Sequence, residues 1–134
     1  MPAMSSTGSH RVLLVEDHAD VATGMTMLLA MLGHRTTISV SITHAMEAVS
    51  IEPFDFILAD YSLPDGSASD LVARLRALDG PAKNLAVVLL TGHDIDSLGP
   101  AVVSQFCCCL VKPAELGPLK KGIETAMAWR SDRR

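Results

Sequence analysis

Two acidic residues, Glu16 and Asp17, directly follow the apolar run Val12-Leu-Leu-Val15. A third, Asp60, closes a later run, Phe54-Asp-Phe-Ile-Leu-Ala59. Runs of this length, rich in Val, Ile, Leu and Phe, read as strands buried on both faces. If two such strands are parallel neighbours, both end at the same edge of the sheet. Glu16, Asp17 and Asp60 then meet in the crevice beyond the strand ends, where open α/β sheets carry their sites. Carboxylates crowded in this way repel one another and lose hydration, so a positive charge must offset them. A hard divalent cation is one candidate. The other is a lysine, and Lys112 stands at the end of a further apolar run.

The rest of the chain must position these groups. Strands are expected at Arg11 to Glu16, Arg35 to Val40, Phe54 to Ala59, Leu85 to Leu90 and Cys107 to Val111. The second alternates and is less apolar, which suits a place near an edge; the fourth is wholly apolar, which suits the centre. Helices are expected from about Ala19 to Leu32, Thr43 to Ile51, Ser69 to Leu78, Pro100 to Gln105 and Glu115 to Trp129, on apolar residues at helical spacing. Proline is not tolerated inside a helix, so Gly99-Pro100 predicts a fourth helix that is short or broken near Gly99. Leu63-Pro-Asp-Gly66 reads as a turn. Strict alternation of strand and helix implies a parallel sheet with helices on both faces, a three-layer sandwich.

With 134 residues the chain predicts one domain, over residues 11–129. Met1 to His10 is small and polar, without the basic start and apolar middle of a secretory signal, and reads as a disordered lead-in. Arg130 to Arg134 reads as a solvated tail. No apolar stretch has the length of a membrane span, and the expected compartment is the cytoplasm. With 15 acidic against 11 basic residues, the balance argues against a dedicated nucleic-acid binder. The cysteines, Cys107, Cys108 and Cys109, are consecutive and lack the spacing of a disulfide framework or a zinc site. They are expected as small apolar fillers of a buried strand, with Cys108 facing away from the other two.

Five pieces, at the ends of successive strands, resemble the receiver domain of two-component response regulators. They are Glu16-Asp17, Asp60, Leu63-Pro64 with Asp65-Gly66, Leu90-Thr91-Gly92 and Lys112-Pro113. The resemblance covers about Arg11 to Trp129. It implies a flavodoxin-like fold: five parallel strands in the order 2-1-3-4-5, flanked by five helices. It further implies that Asp60 accepts a phosphoryl group from a sensor histidine kinase or a histidine phosphotransfer protein. Mg²⁺ would be held by Asp17, Asp60 and the Ser62 carbonyl, with Glu16 acting through water. Lys112 would pair with Asp60 and later with the phosphoryl group. The Thr91 hydroxyl and backbone amides near Tyr61 and Gly92 would take the remaining phosphoryl oxygens. A cis bond is expected before Pro113. His18 and His93 would line the rim, and His93 would tune the access of water.

Two departures from the family pattern fall on its signalling face. Cys109 stands three positions before Lys112, where many receivers carry an aromatic ring, and the nearest preceding aromatic is Phe106. The Gly99-Pro100 break alters the helix that many receivers use for output. Without a DNA-binding module in this sequence, output is expected through contact with a downstream protein. No separate substrate turnover is expected. Three rival readings remain. A nucleotide or flavin site needs a Gly-rich first turn, where this chain has Glu16-Asp17-His18. An aspartyl phosphohydrolase usually needs a second acid at position 62, here serine. The third is a receiver-like module that binds partners without ever carrying phosphate.

Overall fold

The computed structural model describes residues 9–92 and 95–132. Along the chain they form β1 (Arg11–Val15), α1 (Ala19–Met31), β2 (Arg35–Ser39), α2 (Ile42–Ile51) and β3 (Phe56–Asp60). A small hairpin follows, β4 (Ser62–Leu63) and β5 (Gly66–Ser67), then α3 (Ala68–Arg76) and a 3-10 turn at Pro81–Asn84. The remainder is β6 (Val87–Thr91), α4 (Ile95–Leu98), α5 (Pro100–Val103), β7 (Cys108–Val111) and α6 (Leu116–Asp132). None of the described helices is long and apolar enough to cross a membrane.

The five long strands form one parallel sheet in the order β2-β1-β3-β6-β7. This is the expected order, because β6 and β7 are the fourth and fifth strands of the sheet. Side chains alternate between the two faces of a strand, so each strand feeds two cores. Leu13, Ile57 and Leu89 pack on one face with Ile42 and Ala45 of α2 and Leu71 and Leu75 of α3. Leu14, Leu58 and Leu90 pack on the other with Met25 and Leu29 of α1 and Leu119 and Ile123 of α6. Each fully buried leucine contributes about 1.5–3 kcal/mol relative to an exposed one. The central strands β1, β3 and β6 are therefore the anchor of the molecule.

The fourth helix is broken at Gly99, as expected, into two separate turns, α4 and α5, with Gly99 at φ +86. Among the described residues the sheet is thus flanked by six α-helices where five were expected, because the fourth is in two pieces. The expected Leu63-Pro-Asp-Gly66 turn is present and closes the β4–β5 hairpin, whereas other expectations need correcting. The last helix runs through Asp132, so the expected tail is helical as far as that residue. The cysteines are partly exposed, because β7 is an edge strand. Cys107 also precedes β7, and it packs on the same face as Cys108 while Cys109 packs on the other.

Side-chain caps fix where α2 and α3 begin. The Ser41 hydroxyl accepts from the His44 amide at the start of α2 (3.1 Å). Asp65, reaching from the hairpin, accepts from the Ile42 and Thr43 amides (2.8 and 3.0 Å). Its carboxyl is held below the ordinary value, first by those backbone hydrogen bonds. Ser67 and Asp70 form a capping box on α3. Gly66, at φ +150, leaves the room this needs: a Cβ there would lie 2.7 Å from the Asp70 carboxylate and 2.9 Å from Ile42.

At the opposite end of the sheet, the rings of His10 and His34 stack with centroids 5.1 Å apart. The His34 Nδ1 accepts from the His10 amide at 3.1 Å, so it must be unprotonated. Burial, then the neighbouring His10, holds His34 below the usual histidine value of 6.5. A histidine with a lowered pKa stabilises the fold above its unfolded value, and that contribution is lost as pH falls through the folded one. Urea midpoints of the wild type are therefore expected to drop as pH falls from about 7 to about 5. In His34→Asn, whose amide oxygen can still accept from His10, the drop is expected to be smaller; equal pH slopes would remove His34 as the cause.

Candidate functional site

The parallel pairing of β1 with β3 sets Val15 opposite Ala59, so the next residues, Glu16 and Asp60, emerge side by side. Thr91 ends β6, with its register partner Val111 on β7, and its carbonyl accepts from the Lys112 amide at 2.8 Å. The strands thus deliver Glu16, Asp17, Asp60, Thr91 and Lys112 to one rim. Glu16, Asp60 and Thr91 are buried, at 1%, 6% and 0% exposure. Burial on that scale makes the local charge balance decisive, since a buried charge without a partner is strongly destabilising.

Lys112 supplies the balance. Its Nζ lies 2.8 Å from Glu16 Oε1 and 3.0 Å from Asp60 Oδ1, so one ammonium bridges two carboxylates. The peptide bond from Lys112 to Pro113 is cis, as expected. Burial acts to lower the lysine's pKa, but hydrogen bonds to Glu16 and Asp60 outweigh it and raise the value. Burial likewise acts to raise Glu16, yet hydrogen bonds from Lys112 and His18 hold it below the ordinary carboxylate value. Asp60 goes the other way. Burial comes first, repulsion from Glu16 adds to it, and together they outweigh the Lys112 hydrogen bond, so its carboxyl is raised. The two carboxylates that share Lys112 are therefore unlike. Glu16 is a firmly held anion, and Asp60 is the more basic oxygen.

His18 is exposed at the rim, where it was expected, and it also reaches the acidic cluster: its Nδ1 lies 3.1 Å from Glu16 Oε2 and 3.3 Å from Asp17 Oδ1, and its amide donates to the same Glu16 oxygen at 3.2 Å. The hydrogen bond to Glu16, then the charge of Asp17, raises its pKa. The signal was position: a side chain two residues beyond a strand end can fold back over that end. One atom from each of Glu16, Asp17, His18 and Asp60 lies within 4.8 Å of the others. Three of the four donors are carboxylate oxygens, which suit a hard cation such as Mg²⁺; the His18 nitrogen suits it less.

Ser62 is exposed and lies in β4, paired with Ser67 across the hairpin. The Tyr61 amide already donates to the Leu90 carbonyl at 3.0 Å, so it belongs to the sheet's hydrogen bonding and is not turned to an incoming group. Phe106 is buried in the core on the α2–α3 face of the sheet, and Cys109 packs against that same core. His93 lies outside the described residues.

A parallel five-stranded α/β sandwich with a lysine-bridged acidic cluster beyond its strand ends defines a signalling receiver. The chain belongs to the response regulator receiver domain family, whose model matches residues 12–124. It is 30% identical over 121 residues to the response regulator protein PilR of Pseudomonas aeruginosa; the match covers 90% of this chain and 27% of PilR. It thus spans about a quarter of that curated relative. Among solved structures it resembles a CheY-like receiver domain from Methylobacillus flagellatus (32% identity, TM-score 0.79), over 87% of this chain and 98% of that one. The fold also matches the receiver domain of a sensor histidine kinase from Pseudomonas aeruginosa PAO1 (21% identity, TM-score 0.80), over 90% and 98% of the two chains. That structure is described with a magnesium ion coordinated in its active-site cleft.

Proposed function

We propose that this receiver domain, residues 11–129, takes a phosphoryl group onto Asp60 from a phosphohistidine and signals by protein contact. The donor is a sensor histidine kinase or a histidine phosphotransfer protein. The observation that carries the proposal is the bridge from Lys112 to both Glu16 and Asp60. It supplies a basic carboxylate oxygen next to a cation that can follow the charge.

An Asp60 oxygen attacks phosphorus in line. The bond from phosphorus to the histidine nitrogen breaks, the donor imidazole keeps the electron pair, and an acyl phosphate forms on Asp60. Lys112 then exchanges an Asp60 oxygen for a phosphoryl oxygen and remains held by Glu16. Thr91, at the end of the adjacent strand, is the hydroxyl donor for a second phosphoryl oxygen. Asp17, Asp60 and the Ser62 carbonyl are the proposed holders of Mg²⁺, with Glu16 behind them. Mg²⁺, when bound, offsets the negative charge gathered on the phosphoryl oxygens. The magnesium-bearing relative supports this cofactor.

The domain turns over no separate substrate; hydrolysis of its own acyl phosphate resets it. The net charge of −4 supports a downstream protein rather than DNA as the direct contact, in a cytoplasmic setting. Incubation with acetyl phosphate and Mg²⁺ is expected to add one phosphoryl group by intact-mass spectrometry. The addition should be labile to base and absent with EDTA. An unchanged mass, where a known receiver is labelled, would favour a module that binds partners without phosphate.

A further inference from the structure

Cys107, Cys108 and Cys109 take no part in the site above. In a regular strand, consecutive side chains point to opposite faces. Cys107 lies before the first residue of β7, and that offset brings its side chain onto the same face as Cys108. Both pack against the core that α6 covers, while Cys109 packs on the other side of the sheet. Cys108 Sγ lies 3.8 Å from the Gly122 carbonyl of α6. Gly122 leaves room beside the sulfur, since a Cβ there would come within 3.4 Å of it. All three cysteines are partly exposed, so a small solute can reach them.

We propose that Cys107 and Cys108 form a reversible dithiol–disulfide site, closed by a small hydroperoxide and reopened by a thiol or phosphine reductant. The neighbouring Cys108, then burial, pushes the Cys107 thiol up, while Cys107 holds the Cys108 thiol down. Cys108 is therefore the attacking sulfur. Its thiolate attacks the terminal peroxide oxygen, the O–O bond breaks, and the remaining alkoxide (hydroxide, for hydrogen peroxide) leaves with the electron pair, giving a sulfenic acid on Cys108. The Cys107 sulfur then attacks Cys108, its proton joins the departing hydroxyl as water, and the S–S bond forms. Two thiols are oxidised by two electrons and one peroxide is reduced. Consecutive Cα atoms stand only ~3.8 Å apart, closer than in ordinary disulfides, so the product is strained. Strained disulfides are the readily reduced ones, which makes the site a reversible one.

The test uses the whole chain with dilute hydrogen peroxide, without Mg²⁺ or a phosphoryl donor, so its outcome is separate from that of the phosphorylation reading. The expected result is a mass lower by two hydrogens, with free thiols falling from three to one. Sequential alkylation before and after reduction, read by fragment ions, should mark Cys107 and Cys108 as the oxidised pair. A phosphine reductant should restore the mass. Cys109→Ser should close as the wild type does; Cys107→Ser should gain oxygen on Cys108 without losing hydrogens. The proposal falls if alkylation maps the bond to Cys109. It also falls if the product is an intermolecular dimer, or if oxygen is added to the wild type with no loss of hydrogen. The wild-type map decides the matter even where a serine variant fails to fold.

Discussion

Asparagine at position 60 is expected to abolish phosphoryl uptake from acetyl phosphate while leaving the fold intact and more stable in metal-free buffer. An amide nitrogen or oxygen has no charge to drive attack on phosphorus, so the acyl phosphate cannot form. The stability change follows from the unequal sharing of Lys112. Burial and the neighbouring Glu16 both disfavour a charge on Asp60. Removing that charge relieves the repulsion and leaves Lys112 to Glu16, 2.8 Å away. Intact mass after incubation and a urea titration read the two parts. Label at wild-type yield in Asp60→Asn would place the acceptor elsewhere. A large loss of stability would mean that Asp60 is a structural partner of Lys112 and that the charge distribution described above is wrong.

Lys112→Met removes the single cation from between two carboxylates. The Glu16 side chain is wholly buried, so its charge then loses its main counter-ion. Removing one partner of a buried pair typically costs about 3–5 kcal/mol; here the lower end is expected, because Lys112 is partly exposed and His18 still touches Glu16. Phosphoryl uptake should fall by ~10²–10³, the usual loss when a charge-stabilising donor leaves a reacting group. Glu16→Gln added to Lys112→Met should recover most of the stability and none of the rate, since the buried charge is gone but no cation faces the phosphoryl group. Such a cycle separates fold from chemistry. A single variant within about 0.5 kcal/mol of wild type would contradict a buried bridge.

The parts of this molecule legible in the sequence are those that burial writes into composition. Val12 to Val15, Phe56 to Ala59 and Val87 to Leu90 are covered on both faces, and a continuous apolar run has no other use in so short a segment. The acidic residues at their ends were legible for the same reason: a carboxylate after such a run must lie at the rim. Cys108 to Val111 misled because an edge strand with one flank covered can be as apolar as a central one. The position of Cys107 depends on where β7 begins, and strand ends are set by pairing with β6 rather than by local preference. Asp65 looked like ordinary turn chemistry, but its work is at the start of α2, 22 and 23 residues away in sequence. The bridge from Lys112 to Glu16 spans 96 residues and had no local signature.

The two single turns joined at Gly99 have a consequence for how a signal leaves the sheet. A four-residue helix consists almost entirely of ends, so few hydrogen bonds run along its own axis. Local unlatching of such a stretch needs far less free energy than unwinding the 13 residues of α1. Its amide hydrogens should trade with deuterated water well before those of the central strands. Rearrangement downstream of Thr91 therefore meets a soft joint in place of a rod. A partner that grips this segment moulds it on arrival, with no cost to the sheet behind it.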